Sequence, residues 1–166
     1  MRVPETRVNR ELLLEFFLVF ARFEYALKAT RFFVRHPEDP RRPPTAEPDW
    51  DSLVVSLDNT LDPARTDLLR EACEYIGQYP PNKQVVVNGA VAWETPIYPP
   101  EESQIHFLLR MVRCVRNNLF HGGKHNIDVH ESTERTERLL RSSLIILEEC
   151  LALAPEQARA FHEAVL

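Results

Sequence analysis

Arg113-Cys114-Val115-Arg116-Asn117-Asn118-Leu119-Phe120-His121-Gly122-Gly123-Lys124 is the stretch around which the chain reads. Leu108, Leu109, Val112, Val115 and Leu119 recur before and through it at roughly helical spacing, so its arginines ride on a helix with a buried stripe. Gly122 and Gly123 then supply the backbone freedom that a helix C-cap requires. On a continuing helix Arg116 and His121 would stand about 140° apart. A helix that ends near Phe120 lets His121 swing back toward the guanidinium.

Working outward, residues 9–34 form the first long helical segment. Its apolar residues, from Leu12 and Leu13 through Phe16, Phe17, Phe20 and Phe23, are too numerous for one narrow face. The helix is therefore expected to be buried on more than one side, by its own domain and by a partner chain. Glu24 reads as an exposed or locally paired carboxylate, with burial near the site as the alternative. Residues 37–48 hold five prolines and several charges, which makes them a polar loop. Residues 50–57 fit either a short strand or a helical turn. Asp62-Pro63 predicts a helix start, aspartate as N-cap and proline at the first helical position. Leu68, Leu69, Cys73 and Ile76 mark its inner face, and Gly77, Pro80 and Pro81 stop it.

Residues 84–94 change period. Val85-Val86-Val87, Asn88-Gly89 and Ala90-Val91-Ala92-Trp93 give a hairpin with an Asn-Gly turn, expected to pack on the helices because a lone hairpin is marginal in water. Pro96, Pro99 and Pro100 end it, and the next helix begins near Glu101-Glu102, whose charges suit a helix N-terminus. Residues 128–153 give a further helix with Leu139, Leu140, Leu144, Ile145, Leu147, Leu151 and Leu153 on its core face, and Pro155 opens a short last one. The expected fold is all-α: a bundle of four to five helices with a small β-hairpin insertion, one domain over residues 1–166.

The chain has 166 residues and a formal charge of -5, which argues against a broad footprint for duplex nucleic acid but leaves room for a local basic site. The longest apolar run, residues 12–20, is broken by Glu15 and too short to span a bilayer, and no signal pattern opens the chain. Cys73, Cys114 and Cys150 read as buried thiols in a reducing cytoplasm. Nucleophile elbows, Walker loops and dinucleotide fingerprints are absent. His121, His125, His130 and Asp128 cluster, but across a glycine turn and not on one helix face, so they read as solvated loop residues. Neither a metal nor a cofactor is expected.

The arginine and histidine remain. Histidine titrates near neutrality and moves protons; a guanidinium stays charged and grips phosphate through two donors. Together they suit attack of a ribose 2′-hydroxyl on the adjacent phosphodiester, with Asn117 orienting either group. On composition alone such a pair is common, and a purely structural role is the more frequent outcome.

Arg116-Asn117-Asn118-Leu119-Phe120-His121 resembles the R-x4-6-H motif of the HEPN superfamily (higher eukaryote and prokaryote nucleotide-binding domains), in which a polar residue commonly follows the arginine. The resemblance is sharp over residues 104–153, looser over 9–34, where Phe23-Glu24 is also similar, and silent over 37–100. It implies an up-down helical bundle, usually dimeric, with two motifs facing across the dimer cleft. Many members are metal-independent endoribonucleases acting as toxins, in phage defence or in RNA processing. The resemblance implies that Arg116 and His121 are catalytic and Asn117 a supporting residue, with RNA as substrate and an antitoxin or larger defence complex as partner. Lys124 and Arg113 are added as phosphate contacts by their position, and Arg110 extends the strip. The position where one family variant carries a modifiable tyrosine is Gly123. Two alternatives stay open: a catalytically silent module of the same type that binds RNA, nucleotide or protein, and a helical interaction protein in which Arg116 merely caps and pairs.

Overall fold

The computed structural model describes residues 7–30, 46–120 and 133–164. They form α1 (Arg10–Ala29), α2 (Trp50–Leu57), α3 (Asp67–Gln78), β1 (Lys83–Val87), β2 (Ala90–Glu94), α4 (Gln104–Phe120), α5 (Thr133–Leu153) and α6 (Pro155–Glu163). The chain is mostly helical with one antiparallel hairpin, as its patterning predicts, but the described residues hold six helices where four to five were expected, because residues 50–57 are helical. The helices share one apolar core: α5 packs on α1, α3 and α4, α2 lies on α4, and α6 covers α1. Among the described residues no helix is long and apolar enough to cross a membrane.

Asn9 begins α1, its Oδ1 accepting from the Glu11 and Leu12 amides at 2.9 and 3.1 Å. Leu12, Phe16, Phe20, Phe23 and Leu27 then recur every three or four residues and are buried. Leu14, Phe17, Leu18 and Tyr25 fall on other faces and stay exposed. Its own chain thus covers one side of α1. Glu24 is half-buried.

The ambiguous residues 50–57 are helical. Asp49 caps α2 by accepting from the Ser52 amide at 3.0 Å, and Trp50, Leu53, Val54 and Leu57 bury at helical spacing. Trp50 stacks on Phe23 at 5.3 Å between ring centroids and on Phe20 at 5.7 Å, which fastens α2 to α1.

Asp62-Pro63 does not start the next helix. Asp62 instead closes a local turn, Oδ1 accepting from the Ala64 amide at 2.9 Å and its carbonyl from the Arg65 amide at 3.0 Å. Thr66 is the cap of α3, accepting from the Leu69 amide at 3.1 Å. Leu69, Cys73 and Ile76 of the expected inner face are buried together with Ala72, whereas Leu68 is 67% exposed.

Arg65, in that turn, donates to the buried carboxylate of Glu149 on α5, pinning the approach to α3 against α5. Burial and the Glu149 charge push the Cys73 thiol up to about 11, and the fully enclosed Cys150 thiol is raised for the same reasons. Both are inert packing residues. Cys114 is only half-buried, a departure from the expected three buried thiols.

The hairpin forms where predicted. Asn88 and Gly89 take φ of 52° and 77°, the left-handed pair that a two-residue type I′ turn needs, and register runs from Lys83↔Glu94 to Val87↔Ala90. It does not pack along the helices: Val86, Val87, Val91 and Trp93 are all exposed. Only its base is fixed. The Asn118 side-chain amide donates to the Asn82 carbonyl at 2.7 Å, the Cys114 sulfur lies 3.5 Å from that oxygen, and Arg135 of α5 donates to the Pro80 carbonyl at 2.7 Å.

Replacing Leu69 by alanine is expected to cost about 2–5 kcal/mol, and Leu68→Ala to stay within about 0.5 kcal/mol. Urea denaturation of both variants checks this; equal losses would contradict the assigned face of α3.

Candidate functional site

The site rests on the two-sidedness of α4. Ile105, Leu108, Leu109, Val112 and Val115 are buried, and Arg113, Arg116, Asn117 and Phe120 form a strip along the flank of that face at spacings of three and four residues. Arg116 is half-buried and held on three counts. Its guanidinium carbon lies 4.8 Å from the Phe120 ring centroid and 5.7 Å from that of Phe20, and Nη1 donates to Asn117 Oδ1 at 3.1 Å. Phe120 in turn meets Phe17 of α1 at 5.4 Å between centroids. The arginine is therefore positioned by aromatic faces, and its charge is retained.

Arg113 is exposed, its guanidinium carbon 5.6 Å from the Trp50 ring centroid. Among the described residues it has no carboxylate within ion-pair distance. Arg110 differs: it forks onto Glu102, Nε to Oε1 at 2.8 Å and Nη2 to Oε2 at 2.6 Å. The expected basic strip is thus Arg113 and Arg116, with Arg110 committed to a pair at the start of α4. The Arg110 hydrogen bonds hold the Glu102 carboxyl below the usual glutamate range. Glu101 and Glu102 precede α4; Ser103 occupies the capping position, its carbonyl accepting from the Phe107 amide at 3.0 Å.

Beside this surface, between α4 and the base of the hairpin, lies an open cleft of about 410 Å³. Lys83, Gln84 and Pro96 line one wall, and Arg113, Asn117 and Met111 belong to the other. No carboxylate lines it. Asn117 belongs to both regions, binding Arg116 and lining the cleft. Arg113 also lines a second hollow of about 370 Å³ that is acidic, with Glu47, Asp49 and Asp51.

Of the residues picked out from sequence, Arg113, Arg116 and Asn117 are brought together on α4. His121 and Lys124 lie outside the described residues, as do His125, Asp128 and His130. Among the described residues no group of histidine, cysteine and carboxylate side chains is arranged to hold a metal. Sequence reading missed Lys83 and Gln84, which reach the cleft from a strand 30 residues upstream of Arg113 (113 − 83 = 30). It also missed Phe20 and Phe120 as supports of Arg116. Phe120, four residues after Arg116 on one helix, carried a readable signal; Lys83 carried none. No family model, no curated protein and no solved structure matches the chain.

The Glu102–Arg110 pair gives a pH signature. Because the folded carboxyl is depressed, its stabilisation is present above about pH 4.3, the ordinary glutamate value, and is lost as pH falls through the lower folded value. The stability gap between wild type and Glu102→Gln should therefore be widest near neutrality and close in acid. Thermal melts from pH 3 to 7 check this, and a gap that widens toward acid would contradict the pairing.

Proposed function

We propose that this chain is a HEPN-type, metal-independent endoribonuclease that works as a homodimer in the cytoplasm, in a toxin or phage-defence setting. The observation that carries the reading is the fixed Arg116–Asn117 unit in the last turn of α4, four residues before His121. Arg116 supplies a preorganised positive charge for the phosphate, worth most at the transition state, where charge accumulates on the non-bridging oxygens. His121 handles the proton of the 2′-hydroxyl as its oxygen attacks phosphorus. The P–O5′ bond breaks, leaving a 2′,3′-cyclic phosphate and a 5′-hydroxyl, which takes up a proton. Asn117 keeps the guanidinium oriented. In this reading the helices form the up-down bundle of that superfamily.

The exposed face of α1 supports the dimer. Leu14, Phe17, Leu18 and Tyr25 leave apolar surface open to solvent, and Phe17 touches Phe120. A second copy seated there would bring two motifs toward each other. A catalytically silent RNA- or protein-binding module is the second reading, favoured by the formal charge of -5, since a ribonuclease must then concentrate positive charge locally.

Wild type incubated with mixed RNA in EDTA should release fragments with 2′,3′-cyclic phosphate ends. His121→Ala and Arg116→Ala should each lower the rate at least 100-fold while remaining folded. Cleavage that survives both substitutions would place the chemistry elsewhere. The dimer is checked separately: Phe17→Asp should shift the sedimenting mass from two chains to one and abolish cleavage. A wild type that sediments as a monomer while cleaving RNA would remove the composite site.

A further inference from the structure

We propose that the cleft between α4 and the hairpin base is a subsite for one unpaired nucleotide of single-stranded RNA, adjoining the Arg116 site. The inference rests on the ribonucleic-acid reading above and adds where the strand lies and what binds it. Three observations carry it.

The first is charge. In a chain of net charge -5, the cleft is lined by Lys83, Arg110 and Arg113 and by no carboxylate. Arg110 is neutralised by Glu102. Lys83 and Arg113 make no ion pair among the described residues, although Glu94 stands across from Lys83 in the hairpin register. Two cations without an ion pair flank one hollow and suit phosphate oxygens, although Arg113 also borders the acidic hollow of Glu47, Asp49 and Asp51.

The second is the remaining lining. Gln84 and Asn117 offer amides, and half-buried Pro96 offers apolar surface, the combination that a base with polar edges and a flat face requires. Arg116 occupies Asn117 Oδ1, which leaves the Asn117 Nδ2 hydrogens as donors to a base carbonyl or phosphate oxygen. Trp93 pairs with Gln84 in register, so its ring, 41% exposed, shares a hairpin face with a side chain that lines the cleft. A tryptophan so placed is a stacking platform for the neighbouring base.

The third is size and continuity. About 410 Å³ admits one nucleotide unit and excludes a duplex. Asn117 joins the cleft to Arg116, so a strand held there presents its next phosphate to the arginine. The clamp on Asn82 and Pro80 fixes the cleft wall, which explains why the hairpin is anchored at its base and free at its tip.

The test uses binding, which is separable from cleavage. The probe is a fluorescein-labelled, fully 2′-O-methylated 12-mer of mixed sequence, whose blocked 2′ positions prevent the proposed reaction. Fluorescence anisotropy should give binding that Lys83→Ala and Arg113→Ala each weaken about five- to tenfold. Each substitution should also make the log-affinity against log-salt slope shallower by about 0.7, the value for one phosphate contact on a single strand. Trp93→Ala should weaken binding about fivefold or more with little change in that slope, since stacking releases no counterions. The proposal is overturned if the probe does not bind, if Lys83→Ala and Arg113→Ala bind unchanged, or if the duplex form binds as tightly through the same residues. An acidic peptide that displaces the probe at equal concentration would also overturn it, in favour of a protein ligand. If the probe binds through the cleft but wild type cleaves no RNA, the subsite stands and the ribonuclease reading alone falls.

Discussion

Trp50 joins the two halves of this molecule that matter most. Its ring stacks with Phe23 and Phe20 of α1, and the Arg113 guanidinium lies 5.6 Å from its centroid. Buried stacking of this kind contributes about 0.5–1.5 kcal/mol beyond the area removed from water. Its positional consequence is larger. The same ring that locks α2 onto α1 fixes the distance from the aromatic core to the polar face of α4. Phe20 repeats the device one turn away, stacking on Trp50 and supporting Arg116. The arginines are thus set by rings whose own places are determined by burial.

This arrangement answers how an acidic chain keeps a basic site. Carboxylates near α4 are drawn off into defined partnerships: Glu102 holds Arg110, and Asp49 caps α2. Asp51 lies 3.9 Å from the His106 imidazole. The acidic hollow and the carboxylate-free cleft share Arg113 in their linings, so local sign changes around one residue and overall charge says little about it. Aromatic support also differs from a carboxylate partner in one respect. It orients a guanidinium without cancelling its charge, which is what a phosphate-binding arginine needs.

How much of this was legible in the sequence follows from which forces are local. Helices with strong signals were readable: α6 begins at Pro155 as expected, and α4 begins at Gln104, just after the expected Glu101-Glu102. The start of α3 was misread because Asp62-Pro63 is equally good chemistry for a turn, and only the tertiary position of Thr66 decides between them. Leu68 was assigned inward on its apolar character, but it lies about 100° around the helix from Leu69 and so falls off the Leu69, Cys73 and Ile76 stripe. The hairpin turn was readable from Asn88-Gly89 alone. Its packing was not, because apolar residues occupy both faces of the ribbon and no alternation says which face is covered. In the site, Arg113, Arg116 and Asn117 were found together because one helix carries all three. Lys83 reaches them through a fold-level approach that no spacing encodes.

The hairpin shows where the remaining dependence lies. Its base is fixed from two helices, through Asn118 and Cys114 of α4 and Arg135 of α5, whereas its strands and turn carry exposed valines and no comparable support. A two-stranded ribbon has little stability of its own, so order must decline from base to tip as the clamps are left behind. Lys83 and Gln84 stand at the ordered end, next to Asn82, and so contribute to the cleft with the precision of the helices. Val86, Val87 and Val91 stand at the other end, where apolar side chains on an uncovered ribbon lack a packing role within the described chain. The division is imposed by the clamp: the part of the hairpin rigid enough to define a site is the part that α4, the helix carrying Arg116, holds directly.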